Sequence, residues 1–377
     1  CLSCQQPKGA LPFIDVRENY PQKEVLLTDD IADIRYLHLS TDDNDYLHDG
    51  GIADMCTNTI VIFERQRGNI LFFDRDGKPK SRFNRIGNGP GEYRYLHRVF
   101  YDEGTDDVYV LEPYPEKVMH VYSSAGIHKR DFSLPEGTMA VNDIVAFDSN
   151  SFFFYDASID MKNGNSALED GPLSIQEPNI AHFYLISKAD GSTLDHLELS
   201  IPPVFIGVYS DGMRVPPPRR KRLINSKEGV LICNQESDTV FLYGKDRSLT
   251  PVIHKTPLVA TTDPRVYLNN CVELGSYQFM QVCTSIARLF PNKYYIRDKK
   301  TDEIFEQKLL LPDYKGGEFT VSPYNIMYGM DDCAYFELDI SELQQAYSEN
   351  RLDGKLKELV ATLKEDDNNV YAIVHFK

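Results

Sequence analysis

Residues 85–94, Arg-Ile-Gly-Asn-Gly-Pro-Gly-Glu-Tyr-Arg, form the densest cluster of groups in this chain that could do chemistry. Gly87, Gly89 and Gly91 bare closely spaced backbone amides, and a loop of that kind can nest an anion. Asn88, Glu92, Tyr93 and Arg94 add polar and charged side chains, which makes these four the first ligand-binding candidates. Nucleotide chemistry does not follow. A dinucleotide fingerprint needs a third glycine where Glu92 stands, and a helix after it. The stretch from Tyr93 to Tyr101 reads as strand instead. A phosphate-binding Walker loop needs Gly-Lys-Ser/Thr, which the chain lacks. The segment therefore reads first as a tight joint between two structural units.

A second cluster is the basic run at 214–223, Arg-Val-Pro-Pro-Pro-Arg-Arg-Lys-Arg-Leu. Its triple proline favours an extended polyproline conformation with solvated charges. Arg219, Arg220 and Arg222 could also grip a carboxylate of an acidic partner in bidentate fashion. Other motifs fail on inspection. Asp74-Arg75-Asp76-Gly77 hints at calcium, but an EF-hand would need Asp or Asn at Phe72 and Glu at Phe83. Ser187–Leu194 resembles a sialidase Asp-box, yet its Asp and Gly are adjacent and the chain has no Trp. Neither His-Glu-x-x-His nor Gly-x-Ser-x-Gly occurs.

The chain has 377 residues and a formal net charge of −17, from 57 acidic and 40 basic residues. A body this negative repels phosphate backbones, so nucleic acid is not an expected partner. No apolar run is long enough to cross a bilayer as a helix. The sequence opens on Cys1, followed by a polar Gln/Pro/Lys/Gly stretch. That pattern reads as the mature end of a bacterial lipoprotein with Cys1 lipidated and residues 1–24 as tether. Lipid anchoring then replaces a membrane helix, and Leu2 in place of Asp favours the outer membrane. The five cysteines beyond Cys4 are scattered and match no zinc spacing. Buried thiols are the expectation for them, with a Cys271–Cys283 disulfide as the alternative.

What positions these groups is a repeat. Residues 58–84 hold a strand, a turn at Arg67-Gly68-Asn69, a second strand, a turn at Asp74–Gly77 and an amphipathic third strand. Glycine, Asp and Asn suit such hairpin turns. The phrase recurs at 106–134, at 150–158 with 179–199, at 228–254 and at 279–310. Units spaced by roughly 49–65 residues and holding four short strands are propeller blades. The lone strands at 33–40 and 368–377, with 325–339, supply a sixth blade closed by both ends of the chain, which leaves no open edge. The helical stretch at 340–366 is an insertion, with Ser341 and Gln344 as a capping box. The expected fold is an all-β, six-bladed β-propeller of four-stranded blades spanning 25–377.

The Ile-Gly-Asn-Gly-Pro-Gly-Glu-Tyr phrase, the Phe-Phe-Asp-Arg-Asp-Gly-Lys hairpin, Cys1 and the terminal Val-Tyr-Ala-Ile-Val-His-Phe-Lys resemble the six-bladed propeller lipoproteins of Bacteroides-type bacteria. A looser likeness is to NHL-repeat and TolB-like propellers. The resemblance implies fold and envelope location, not a reaction. In a propeller the innermost strands line a channel, and in lactonase-like enzymes that channel holds calcium. Asp54, Asn142, Asp143 and Asn325, with Asn225, are the channel-side candidates for such a metal. The leading expectation is a monomeric, non-catalytic envelope lipoprotein with no cofactor. Its loops at 157–180 and 203–222 would bind a protein, peptide or glycan. The alternative is a calcium-dependent hydrolase or lactonase acting in the channel.

Overall fold

The computed structural model describes residues 11–28, 32–41, 44–113, 116–138, 141–159, 179–202, 207–208, 214–215, 221–286, 289–326 and 329–377. The fold is a six-bladed propeller. Blade one runs outward through Gly51–Met55, Thr59–Glu64, Asn69–Asp74 and Pro79–Asn84. Its two middle strands are continuous apolar runs, because neighbouring blades cover both of their faces. Its outer strand is more polar, with Phe83 turned inward between exposed Arg82 and Asn84. Blade two begins at Arg98–Asp102, blade three at Val141–Ala146, blade four at Leu223–Ser226 and blade five at Val266–Leu274. The sixth pairs Cys333–Leu338 with Val370–Phe376 and then Ala32–His38. Its channel-side place is taken by a 3-10 turn, Pro323–Asn325, from which Asn325 Nδ2 donates to the Tyr335 carbonyl at 2.9 Å.

The apolar core lies between blades rather than at the axis. Val61, Phe72 and Phe83 of blade one pack with Val99, Val108 and Tyr122 of blade two. Equivalent clusters join two to three, three to four, and four through five to six. A last one closes the ring, setting Leu37, Tyr371 and Ile373 of blade six against Ile60, Leu71 and Phe73 of blade one. Each fully buried aromatic or aliphatic side chain adds about 1.5–3 kcal/mol, so the ring rests on many similar contributions.

The strands at 32–38 and 370–376 pair in full register, from Val370 opposite His38 to Phe376 opposite Ala32. The start of the fold differs from the sequence expectation, which placed residues 1–24 in a tether. Phe13–Asp15 adds a parallel strand to the outer edge of blade four, and Gln22–Leu26 does the same on blade five. These strands are too short to announce themselves, yet they cover two exposed edges. The helical insertion is present as α1 (Ile340–Ser348) and α2 (Gly354–Val360). Its cap is Asp339, not Ser341: the Asp339 carboxylate accepts from the amides of Ser341 and Glu342. None of the five described cysteines is in a disulfide. Cys271 faces Met280, and Cys283 faces Tyr267, several pairs along the same ladder.

Candidate functional site

The glycine-rich loop is the joint between blades one and two, and it is closed upon itself. Glu92 Oε2 accepts from the Gly89 amide at 2.8 Å. A methyl group at Gly87 would lie 2.0 Å from that same oxygen. The loop's own carboxylate therefore fills the place an anion would take. Tyr93 is fully buried, its hydroxyl donating to the Gly68 carbonyl at 2.7 Å and accepting from the Arg85 amide at 3.0 Å. Arg94 is paired with Glu112 at 2.5 Å and with Glu116. Asn88 is left exposed at the tip.

The channel-side acids and amides fall on the innermost elements, but the side chains of Asp54, Asp143 and Asn225 join neighbouring blades. Asp54 accepts from the Met55 amide at 2.9 Å and, across to blade two, from the Tyr101 amide at 3.1 Å. Burial pushes its carboxyl up to about 6. Asp143 of blade three accepts from the amides of Arg222 and Leu223, the latter at 2.8 Å. Burial also raises its carboxyl above the usual range. Asn225 Nδ2 returns the favour, donating to the Ala146 carbonyl at 2.8 Å. Asn325 Oδ1 accepts from the Ser322 amide and hydroxyl at 2.8 and 2.7 Å. Among the described residues, neither Asp54 nor Asp143 belongs to a cluster of three His, Cys, Asp or Glu ligand atoms. The Asn142 side chain, Arg219, Arg220 and Cys1 lie outside the described residues, as does most of 157–180 and 203–222. Arg222 is buried, its guanidinium 4.5 Å from the centre of the Tyr155 ring.

Mid-channel there is a cavity of about 190 Å³, lined by Arg98, Lys221, Asn225, Tyr324 and Tyr335 among others. Lys221 donates to the Pro323 carbonyl at 3.2 Å, and burial brings its ammonium down to about 8. The larger space is at the mouth, on the rim where the innermost strands turn outward at Met55, Asp102 and Ala146. There a cavity of about 580 Å³ is walled by Phe100, Tyr101 and Tyr109 and edged by Asp54, Asp102 and Glu103. Lys188 reaches it from blade three. It is buried, with Nζ donating to the Asp148 carbonyl at 2.8 Å and lying 5.0 Å from the Phe152 ring centre. Burial lowers its ammonium, and the Asp102 and Asp54 carboxylates act against that. Ser149 and Gly329 connect this space to a second one of about 390 Å³ lined by residues of blades three to six.

Sequence reasoning missed this mouth. Lys188 ends a strand in Phe-Tyr-Leu-Ile-Ser-Lys and looks like any solvated turn lysine. Only the neighbouring blade's aromatic wall makes it a buried cation. Among the described residues the mouth offers stacking surfaces, carboxylate acceptors and one ammonium. No histidine is among its lining residues, nor among those of the mid-channel cavity. Among the described lining residues Cys56 is the one thiol, and burial raises that thiol far from the reactive range. Such a thiol is a poor nucleophile.

A solved structure described as a "Putative exported protein" from Bacteroides fragilis is similar to this chain over 95% of its length and 98% of that chain, with a TM-score of 0.59 and 15% identity. That likeness is one of fold. A second, a member of the duf4221 family from Bacteroides vulgatus, gives a TM-score of 0.44 and 9% identity over 92% of this chain and 97% of its own. No curated protein matches the sequence. A family profile described as "Domain of unknown function (DUF4934)" matches residues 11–375, and the chain belongs to that family.

Proposed function

We propose that this protein is an exported, non-catalytic binding protein of the cell envelope, and that it holds a neutral or amine-bearing saccharide at the channel mouth. The single observation that carries this reading is the 580 Å³ space walled by Phe100, Tyr101 and Tyr109 with Lys188 at its side. Aromatic walls with a few convergent polar groups are the ordinary form of a small-ligand site. Sugar rings stack on such walls, and carboxylates accept their hydroxyl hydrogens. Three carboxylates against one ammonium disfavour an anionic ligand. Export is supported by the description of the similar Bacteroides fragilis protein.

Binding is favoured over hydrolysis by the state of the channel groups. Both Asp54 oxygens accept backbone amides and Asn325 Oδ1 accepts from Ser322, and among the described residues the mouth has neither an activated nucleophile nor a histidine base. Calorimetry against neutral, N-acetylated and amine-bearing oligosaccharides tests the reading. The expected outcome is saturable binding without turnover, weakened at least tenfold by Asp102→Ala. Binding unchanged in that variant, or bond cleavage in the titrated saccharide, would refute it.

A further inference from the structure

We propose that blade two carries a binding site for a borderline transition metal such as zinc, held by His120, His128 and Asp131, and that the glycine-rich loop is the outer wall of that site. His120 lies in the strand Val118–Tyr122, and the other two lie in the adjoining outer strand His128–Ser133. The hairpin register sets His120 directly opposite Asp131. His120 Nδ1 is 2.8 Å from Asp131 Oδ1, and His128 Nε2 is 2.7 Å from the same oxygen. All three ligand atoms lie within 4.8 Å of one another. Zinc bonds of about 2.0–2.2 Å place tetrahedral ligands about 3.4 Å apart. The two distances to Asp131 need open by only about 0.6–0.7 Å to admit the ion.

Two imidazole nitrogens and one carboxylate suit zinc, cobalt or nickel, whereas calcium and magnesium take oxygen. The support around the ligands is also of the metal-site kind. A metal-bound histidine usually offers its second nitrogen to a carboxylate, which fixes the ring and its tautomer. His120 Nε2 faces Glu112 Oε2 at 3.5 Å, and Glu112 is 3% exposed. Glu112 is held in turn by the guanidinium of Arg94 at 2.5 Å and by the Arg94 amide at 3.4 Å. The His128 ring stands edge-on to Tyr122 at 5.5 Å, and the Tyr122 hydroxyl donates to the Gly91 carbonyl at 3.1 Å. A Cβ at Gly91 would lie 2.9 Å from His128 Cγ, so only glycine leaves room for the ring. The phrase Gly-Pro-Gly-Glu-Tyr-Arg thus supplies the space for one ligand and the brace for the other. His128 and Asp131 are more than one-third exposed, which gives the ion an entry path and leaves a coordination position open.

The test uses the tag-free full chain stripped with a chelator. Zinc calorimetry and the visible absorption of a cobalt titration are the readouts. The expected result is one equivalent of tightly bound zinc and ligand-field bands on cobalt addition, with no competition from calcium. His128→Ala and Asp131→Ala should each weaken zinc binding at least tenfold and abolish the bands. Arg94→Ala should weaken it about 10–100-fold through Glu112. His196→Ala, in the separate and more exposed group His182, His196 and Glu198 of blade three, should leave it unchanged. Thermal melting without metal checks folding: the two ligand variants should melt as the parent does, and zinc should raise the melting temperature of the parent and of His196→Ala but of neither ligand variant. Absence of binding in the parent, unchanged binding in both ligand variants, or its loss in His196→Ala would overturn the assignment.

Discussion

Asn368→Ala should break the ring at its seam. Asn368 is 2% exposed and leads into the strand that carries the chain's end into blade six. Its Nδ2 donates to the Leu39 and Tyr46 carbonyls at 2.9 and 3.0 Å, and its Oδ1 accepts from the His48 amide at 3.0 Å. One side chain therefore fastens the terminal strand to the segment that enters blade one. Alanine removes three bonds and leaves three backbone groups unpaired. At about 1 kcal/mol net per bond, and up to about 3 where the partner stays buried, the loss should be about 3–5 kcal/mol. Asn368→Asp should cost more than alanine, because it turns a carboxylate towards two carbonyls. Urea denaturation followed by near-ultraviolet dichroism measures the difference, with Asn88→Ala as the surface control. A loss below about 1 kcal/mol, or equal to that of the control, would refute the seam.

Three further outcomes follow from named contacts. Burial holds His48 neutral in the folded chain, with its pKa down from 6.5 to about 4. Its contribution is therefore full above pH 6.5 and is lost as pH falls from 6.5 towards 4, because the unfolded chain takes up a proton that the folded chain refuses. Relative to His48→Leu, the parent should lose about 2–3 kcal/mol across that window in urea titrations, and parallel curves would contradict this. Gly87→Ala should cost about 1–3 kcal/mol by pushing against the Glu92 carboxylate. Adding Glu92→Ala should recover part of that cost, and strictly additive losses in the double-mutant cycle would show that the carboxylate does not fill the loop. Lys188→Met should move the Asp54 carboxyl above about 6 in a carbon-detected titration, since the ammonium now lowers it. An unmoved Asp54 would separate the two groups.

The architecture was legible because blade strands announce themselves locally. Apolar runs such as Thr-Ile-Val-Ile-Phe and turns such as Asp-Arg-Asp-Gly need only their immediate neighbours. Joining the unpaired strands near 33–40 and 368–377 also needed only a count. The strands at 13–15 and 22–26 escaped because parallel edge pairing imposes no strong pattern on three to five residues. Asp54 and Asp143 were placed correctly on inner strands, but their acceptance of amides from the next blade is a tertiary fact. Arg94 was legible as a cation in a loop, whereas its partner Glu112, 18 residues on, was not. Lys188 shows the limit most plainly. Its identity and spacing say turn, and only the packing of blades two and three says buried cation.

In the proposed function the channel mouth, rather than the glycine-rich loop, receives the ligand. A crystal structure of the chain grown with a saccharide that binds in calorimetry tests this most directly. Density stacked on Phe100 or Tyr109 and within hydrogen-bond reach of Lys188 or Asp102 is the expected result. Density seated on residues 85–94, with the mouth holding only solvent, would contradict it.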